Sequence, residues 1–272
     1  MDLQHSSGHG VTSIYGRLKN VLGPAMRTAI LSDLHGNLVA LNAVISDMEK
    51  RGNLDRTICL GDVAAVGPRP RETIALVRKM KWPCVMGNTD EALANSILED
   101  YGHLDAPKDE KKRMMTLDRW TAAQLDDSDR RFLLKFRPTV EVKDRRFSLL
   151  CYHGSPRSNT EGILATTPAD KVSEALGSHD ATVFAGGHTH VQLFRRFRAS
   201  VIINPGSVGL PLERTSSGRI LNPAHAEYAI VNSVDGVLDV ELLAVPYPLS
   251  ALRKAVGDSG MPDPDPWLAD WH

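Results

Sequence analysis

Five short apolar segments of this chain each run into a cluster of Asp, Asn or His residues, and this pattern constrains the fold more than any other feature. The segments span residues 27–31, 57–60, 83–86, 147–152 and 181–185. Helical periodicity follows the first of them, from Leu38 to Met48, and further helices are predicted at 72–79 and 168–176. Strands that alternate with helices predict an α/β fold, whose ligands bind beyond the carboxyl ends of the strands. We therefore expect the polar clusters to meet at one edge of a sheet.

The remaining segments predict how this α/β unit is extended. Charged residues and spaced aromatic residues between 99 and 137 predict a small helical insertion of two short helices. The runs 192–196, 200–203, 227–231 and 237–243 are typical of antiparallel strands, and residues 234–237 predict a hairpin turn. We predict a flexible arm over 1–25, one domain over 26–258 and an irregular tail over 259–272, which Trp267 and Trp271 anchor.

Composition excludes several classes of protein. With 42% hydrophobic and 24% charged residues, the chain is typical of a globular protein and not of a disordered or collagen-like polymer. Lys plus Arg number 32 and Asp plus Glu 33, so charge gives no general attraction to nucleic acid or to an anionic membrane. No apolar run approaches the ~20 residues that cross a bilayer, and three dispersed cysteines predict no disulfide framework. We therefore expect a cytoplasmic protein, whose oligomeric state the sequence leaves open.

The polar clusters supply donors for metal ions. Imidazole, carboxylate and amide groups suit borderline or hard divalent cations, and the donors are more numerous than a single tetrahedral site uses. They are Asp33, His35, Asp62, Asn88, His153, His188 and His190. Two cations that share a bridging carboxylate fit this number, and Asp62, the single acid directly after the second strand, is the expected bridge.

These clusters resemble the motifs of the calcineurin-like metallophosphoesterases in both order and spacing. The five motifs read Asp33-Leu34-His35, Gly61-Asp62, Gly87-Asn88-Thr89-Asp90, His153-Gly154 and Gly187-His188-Thr189-His190. The resemblance extends from about residue 26 to residue 243. Within it, the segment 204–211 (Asn-Pro-Gly-Ser-Val-Gly-Leu-Pro) is similar to the small bacterial and archaeal branch of the family.

The resemblance implies a fold, a set of ligands and a reaction. The implied fold is an α/β four-layer α-β-β-α sandwich of two mixed sheets with flanking helices. One ion is implied to bind Asp33, His35, Asp62 and His190, and the second to bind Asp62, Asn88, His153 and His188. The implied reaction is hydrolysis of a phosphate ester, with in-line attack of a metal-bridging hydroxide on phosphorus. Mn²⁺ is the expected ion, and Fe, Zn²⁺ and Co²⁺ are alternatives.

Residues beside the motifs refine the expected reaction. Many phosphomonoesterases of the family have a histidine after the motif asparagine, whereas this chain has Thr89, whose hydroxyl cannot act as an acid near neutral pH. We therefore expect a phosphodiesterase, as in the small branch. Asn88 is expected to donate to a phosphoryl oxygen, and Asp90 to orient a neighbouring histidine. Arg157 is a candidate phosphate contact and His103 a candidate acid, with simple solvent exposure as the alternative for both.

Two other functions compete with a phosphodiesterase. A phosphomonoesterase acting on phosphoprotein or nucleotide uses the same ligands, and a diester with a good leaving group needs no acid, so Thr89 separates the two only weakly. A non-catalytic scaffold with this fold is the third hypothesis. The complete set of ligands argues against a scaffold, because a buried cluster of charged groups is costly without a counter-ion.

Overall fold

The structure is a computed structural model that describes residues 26–97, 102, 106–144 and 147–272. We number its elements in chain order. The strands are β1 (Met26–Leu31), β2 (Arg56–Cys59), β3 (Thr139–Asp144), β4 (Phe147–Tyr152), β5 (Val183–Ala185), β6 (Leu193–Phe197), β7 (Ser200–Asn204), β8 (Glu213–Arg214), β9 (Ile220–Leu221), β10 (His225–Val234) and β11 (Val237–Pro246). The helices are α1 (Leu38–Arg51), α2 (Pro70–Met80), α3 (Asn88–Ala94), α4 (Lys108–Gln124), α5 (Asp127–Leu133), α6 (Ala169–Leu176), α7 (Leu249–Gly257) and α8 (Pro264–Leu268).

Two mixed sheets carry the fold. The first has the strand order β11-β10-β1-β2, with β1 parallel to β2 and antiparallel to β10. The second has the order β3-β4-β5-β7-β6, with a parallel centre and antiparallel edges. The β10–β11 hairpin turns at Asp235 and Gly236, whose φ angles of 52° and 84° suit the right-handed twist of the two strands. The predicted hairpin is therefore confirmed.

The two sheets face each other across an apolar core and are covered by helices on their outer faces. Alternate residues of β1 show this division, because Ile30 packs in the cluster between the sheets while Leu31 packs in the cluster under the helices. In the outer cluster Leu41 of α1 contacts the first sheet, and Val172 of α6 belongs to the cluster on the second. This arrangement confirms the predicted α-β-β-α sandwich.

Three elements differ from the sequence-based expectations. Residues 83–86 form only isolated bridges, Cys84 with Cys59 and Val85 with Arg137, instead of a full strand. Residues 88–94 form helix α3, because Gly87 begins it and the Asp90 carboxylate accepts a hydrogen bond from the Gly87 amide. The tail, predicted to be irregular, contains α8, which starts at Pro264. Proline is tolerated there because N–H groups in the first helical turn have no hydrogen-bond partner within the helix.

The other expectations meet the structure only in part. The helical insertion contains α4, which is 17 residues long and so not short, and the 7-residue α5. All three cysteines are free and buried. No helix within the described ranges is both long and apolar enough to cross a membrane. The predicted arm over 1–25 and His103 lie outside the described residues.

Candidate metal centre

Five of the seven predicted ligands lie on loops and have backbone conformations in the left-handed region. Asp33 and His35 follow β1, Asp62 follows β2, and His188 and His190 follow β5, with φ angles between 44° and 67°. Non-glycine residues in this region carry a conformational cost, which the surrounding contacts must offset. Such conformations concentrate at functional sites, and here they coincide with the motif residues.

Backbone carbonyl groups orient three of the imidazoles. The Nδ1 atom of His35 donates to Ala65 O at 3.0 Å, that of His153 to Leu60 O at 2.8 Å, and that of His190 to Leu210 O at 2.8 Å. An imidazole whose Nδ1–H is fixed in this way turns its Nε2 toward the opposite side. The Nε2 atoms of His35 and His190 consequently lie 3.0 Å apart.

Two buried carboxylates face these imidazoles, and each has one oxygen anchored. Asp33 Oδ2 accepts from the His188 amide at 3.0 Å, while Asp33 Oδ1 lies 3.3 Å from His190 Nε2 and 3.9 Å from His153 Nε2. Asp62 Oδ1 accepts from the Thr89 amide at 3.0 Å, while its Oδ2 lies 3.5 Å from His153 Nε2. The unanchored oxygens and the imidazole nitrogens therefore converge on one small volume.

The converging atoms form two groups that could each hold a cation. Asp33, His35 and His190 form one, and Asp33, Asp62 and His153 form the other, with the ligand atoms of each group within 4.8 Å of one another. Asp33 is common to both groups, whereas the resemblance gives the bridging role to Asp62. Asp62 also approaches both, because its Oδ2 lies 3.9 Å from His35 Nε2.

Asn88 and His188 complete the cluster. The Asn88 side-chain oxygen lies 3.1 Å from both His153 Nε2 and His188 Nδ1. The structure therefore brings together all seven residues that the sequence analysis predicted as ligands, which come from loops after both sheets and from the first turn of α3.

The charges of the cluster shift the pKa values of its members strongly. Burial acts to raise the pKa of Asp33, but the His190 and His153 imidazoles hold it at about 2. Burial acts to lower the pKa of His153, but the Asp62 and Asp33 carboxylates raise it to about 10. Burial, with the neighbouring His153, lowers the pKa of His188 to about 4. The cluster without metal therefore pairs ionised carboxylates with a protonated imidazole.

Asp90 has a different role from the one predicted. Its carboxylate accepts hydrogen bonds from the backbone amides of Asp62 at 2.7 Å and Val63 at 2.9 Å, and not from an imidazole. The prediction that Asp90 orients a histidine is therefore wrong. Helix α3 points its first turn at the loop after β2, so Asp90 holds the backbone of the Asp62 loop instead. Burial and the Asp62 charge raise the pKa of Asp90 to about 7.

Arg157 is engaged with another side chain. Its guanidinium makes a two-point ion pair with Glu161, whose carboxylate also accepts from the Ser155 hydroxyl at 2.7 Å. The same loop packs on the cluster, because a Cβ added at Gly162 would lie 3.6 Å from His188 Cδ2. Arg157 is thus near the cluster in sequence but its charge is neutralised by Glu161.

The residues present fit divalent cations. Asp33 Oδ1 is buried, makes no hydrogen bond of good geometry with the described residues and faces imidazole nitrogens, so it is available to bind a cation. The Nδ1 anchors of His35 and His190 turn the Nε2 atoms of both rings toward each other at 3.0 Å, so both nitrogens can bind one cation when the rings are neutral. Nitrogen and oxygen donors without thiolate suit Mn²⁺, Fe, Co²⁺ or Zn²⁺.

Sequence reasoning used residues 204–211 for the resemblance to the small branch but named none of them as a site residue, although this loop contacts the cluster. Leu210 O accepts from His190, and the Ser207 hydroxyl donates to the Asp33 carbonyl at 2.8 Å. The motif Asn-Pro-Gly-Ser was the available signal, because it places a glycine and two small polar side chains directly after a strand.

Comparison with known proteins places this arrangement in a family. A solved metallophosphoesterase from Sphaerobacter thermophilus is 29% identical, has a TM-score of 0.67, and the match covers 91% of this chain and 99% of that one. A hypothetical protein from Pyrococcus horikoshii OT3 has the same fold, with a TM-score of 0.70 at 18% identity over 89% of this chain and 97% of its own. An uncharacterized protein of Methanocaldococcus jannaschii is 24% identical over 257 residues, which are 89% of this chain and 95% of that protein.

The family profile described as the calcineurin-like phosphoesterase superfamily domain matches residues 26–225, the region that contains every residue of the cluster. The family supports a metal-dependent phosphoester hydrolase, in agreement with the candidate ligand groups. By this match, this chain belongs to the calcineurin-like phosphoesterase superfamily.

Proposed function

We propose that this protein is a binuclear metal-dependent phosphodiesterase. The observation that carries the proposal is the pair of carboxylates, Asp33 and Asp62, each with one oxygen anchored by a backbone amide and the other facing imidazole nitrogens. Asp33, His35, Asp62 and His190 would hold one ion, and Asp62, Asn88, His153 and His188 the second. When bound, two divalent cations neutralise phosphoryl oxygens and lower the pKa of water.

The protein's own residues contribute positioning and hydrogen bonding. The side-chain oxygen of Asn88 faces His153 and His188. The NH₂ group of the same side chain is therefore the group that would donate a hydrogen bond to a phosphoryl oxygen of the substrate. Asp90 holds the Asp62 backbone through two amides, which fixes the carboxylate that both ligand groups approach. These contacts are in place before any substrate arrives, which reduces the cost of reorganisation.

Two observations support a diester in preference to a monoester. Thr89, which follows Asn88, is 4% exposed, and its hydroxyl cannot supply a proton to a poor leaving group near neutral pH. The Arg157 guanidinium, a cation that could neutralise the second charge of a monoester, is paired with Glu161. A diester carries a single negative charge and has less need of such a cation.

A leaving-group series tests the choice between diester and monoester. Rates of the Mn²⁺-loaded protein on aryl and alkyl phosphodiesters should fall steeply as the leaving-group pKa rises, because the Thr89 hydroxyl does not protonate the departing oxygen. Thr89→His should help the poor leaving groups selectively, by up to ~10² to 10⁴, and Thr89→Ser should not. A flat plot for the unchanged protein, with chemistry rate-limiting, contradicts the argument from Thr89. Faster hydrolysis of the matching monoesters assigns the protein as a phosphomonoesterase.

Asp62→Asn tests the binuclear centre. The amide keeps an oxygen for the Thr89 amide but loses the charge that both ions share, so hydrolysis should fall by more than about 100-fold and both ions should bind more weakly. Metal analysis after reconstitution gives the stoichiometry, and Asp170→Asn, an exposed carboxylate in the first turn of α6, is the matched control. One ion per chain in a fully active protein rules out the two-metal proposal.

A further inference from the structure

The segment 204–210, which begins at the last residue of β7, contacts the loops that carry the candidate ligands of both sheets. We refer to these seven residues as the Asn204 loop. Its polar contacts go mainly to the loop after β1, with Asp33 and His35, and to the loop after β5, with His188 and His190. The proposed reaction assigns this loop no part, so its contacts need a separate explanation.

The Ser207 hydroxyl links Asp33 to His190. It donates to the Asp33 carbonyl at 2.8 Å and accepts from the Leu210 amide at 2.8 Å, and Ser207 is fully buried. The carbonyl of the same Leu210 accepts from His190 Nδ1 at 2.8 Å. One hydroxyl therefore connects the backbone of a candidate carboxylate ligand to the group that orients a candidate imidazole ligand.

Asn204 performs the corresponding task for the loop after β5. Its NH₂ group donates to Gly187 O at 2.7 Å and to the Thr189 hydroxyl at 3.0 Å. Gly187 and Thr189 flank His188, and Thr189 precedes His190. The side-chain oxygen of Asn204, Oδ1, accepts from the Gly206 amide at 2.8 Å, so both polar groups of the side chain are fixed.

The Asn204 loop is close enough to these partners to act as a rigid support. The Val208 amide donates to Ser32 O at 3.0 Å and the Gly209 amide to Asp33 O at 2.9 Å. A Cβ added at Gly209 would lie 2.0 Å from Leu34 O, so only glycine permits this approach. Asp33 and His190 have φ angles of 55° and 57°, and such unfavourable conformations persist only where surrounding contacts hold them.

We propose that the Asn204 loop assembles the metal centre, with Ser207 and Asn204 as positioning residues for Asp33 and His190. This inference rests on the proposed function, because it concerns the same metal ions. Groups that orient metal ligands typically change metal affinity by 10- to 100-fold when they are removed. The Asn204 loop should therefore set affinity for the ion held by Asp33, His35 and His190, and not only the stability of the fold.

Ser207→Ala and Ser200→Ala form a matched pair for the test. Both lose a serine hydroxyl that donates to a backbone carbonyl, but Ser200 lies at the opposite end of β7, where its hydroxyl donates to Ala181 O at 2.7 Å. Calorimetric titration with Mn²⁺ should show about 10- to 100-fold weaker binding in Ser207→Ala. Binding in Ser200→Ala should stay within about twofold of the unchanged protein, as expected for a position outside the ligand shell. The melting temperature of the metal-free protein should be lower in both variants than in the unchanged protein.

Thr189 provides a second pair of variants that retains Ser207. Thr189→Val removes the oxygen that accepts from Asn204 while keeping the shape of the side chain, and Thr189→Ser keeps the oxygen. Mn²⁺ affinity should fall several-fold in the valine variant and recover in the serine variant. Because Thr189 is half-buried, both proteins should fold even if Ser207→Ala does not.

The outcomes separate this inference from the proposed function. Unchanged Mn²⁺ affinity in Ser207→Ala and Thr189→Val, or an equal loss in Ser200→Ala, overturns the positioning role. Two bound Mn²⁺ ions with the expected losses, in a protein that hydrolyses no phosphate ester, support the positioning role and reject the proposed enzyme. A chain that binds no Mn²⁺ overturns both.

Discussion

At the scale of single residues, the candidate centre depends on which atom of each side chain is already occupied. Asp33 and Asp62 each give one oxygen to a backbone amide, and His35 and His190 give Nδ1 to a backbone carbonyl. These bonds determine which atoms remain to face one another. Main-chain hydrogen bonds therefore determine which carboxylate oxygens and imidazole nitrogens are oriented to bind a cation.

Proton release on metal binding follows from these contacts. Without metal, burial acts to lower the pKa of His153, but Asp62 and Asp33 raise it to about 10, so the imidazole is protonated at pH 7.5. A ligating imidazole must be neutral, so Mn²⁺ should displace roughly one proton per chain or more. The affinity for Mn²⁺ should therefore rise with pH below the His153 pKa of about 10. Calorimetry in buffers of different ionisation enthalpy measures the number. A binding enthalpy that does not depend on the buffer contradicts this prediction.

At the scale of elements, loops after different strands interlock through glycine. Gly67, beyond β2, lies against the loop after β1, because a Cβ there would be 1.7 Å from His35 O. On the other side, Gly87 lies against Asp62, with an added Cβ 2.1 Å from Asp62 Oδ1. The ligand loops are thus positioned against one another by close backbone approach as well as by hydrogen bonds.

Gly67→Ala should therefore damage the site and the fold together. The methyl group meets backbone atoms that cannot move away, so unfolding should become easier by about 1–3 kcal/mol, and Mn²⁺ affinity should fall. Gly257→Ala is the control, since nothing lies within 4 Å of an added Cβ at this last residue of α7, and it should be neutral or stabilising. Thermal unfolding with and without Mn²⁺ measures both effects. Equal behaviour of the two variants would refute the steric argument.

At the scale of the whole molecule, the candidate ligands come from both sheets. Asp33 and Asp62 follow strands of the first sheet, whereas His153 and His188 follow strands of the second. The core between the sheets is apolar and includes Ile30, so it contributes to folding independently of the cluster. A bound cation therefore joins two halves that already pack against each other.

Metal should stabilise the fold without being required for it. At a free Mn²⁺ concentration 100 times its dissociation constant, each site adds about 2.7 kcal/mol to the free energy of unfolding. This raises the melting temperature of a chain of this size by roughly 5–10 °C. Scanning calorimetry with Mn²⁺ and then with excess chelator measures the change and its reversal. A metal-free chain that lacks a cooperative transition would show instead that the centre is part of the folding core.

The sequence by itself determined the class of fold and the membership of the cluster. Strand-sized apolar runs that end in Asp33, Asp62 or His153 predict a sheet edge, because side-chain alternation and the direction of parallel strands are local properties. Residue types also predict cation ligands, since imidazole and carboxylate chemistry does not depend on the fold. Helix α1 was predicted for the same reason, from apolar spacing alone.

Only the tertiary structure decided how the members are held. The bonds from Asp90 to the Asp62 amide and from Ser207 to Asp33 O join residues 28 and 174 positions apart in the chain. Residues 83–86 form isolated bridges because Cys84 pairs with Cys59 and Val85 pairs with Arg137, which lie in different parts of the chain. A local sequence pattern does not contain these partners. The packing of whole elements determines hydrogen-bond partners at such separations. Such hydrogen bonds occupy one polar atom of a ligand side chain, and the other atom remains to face the cluster.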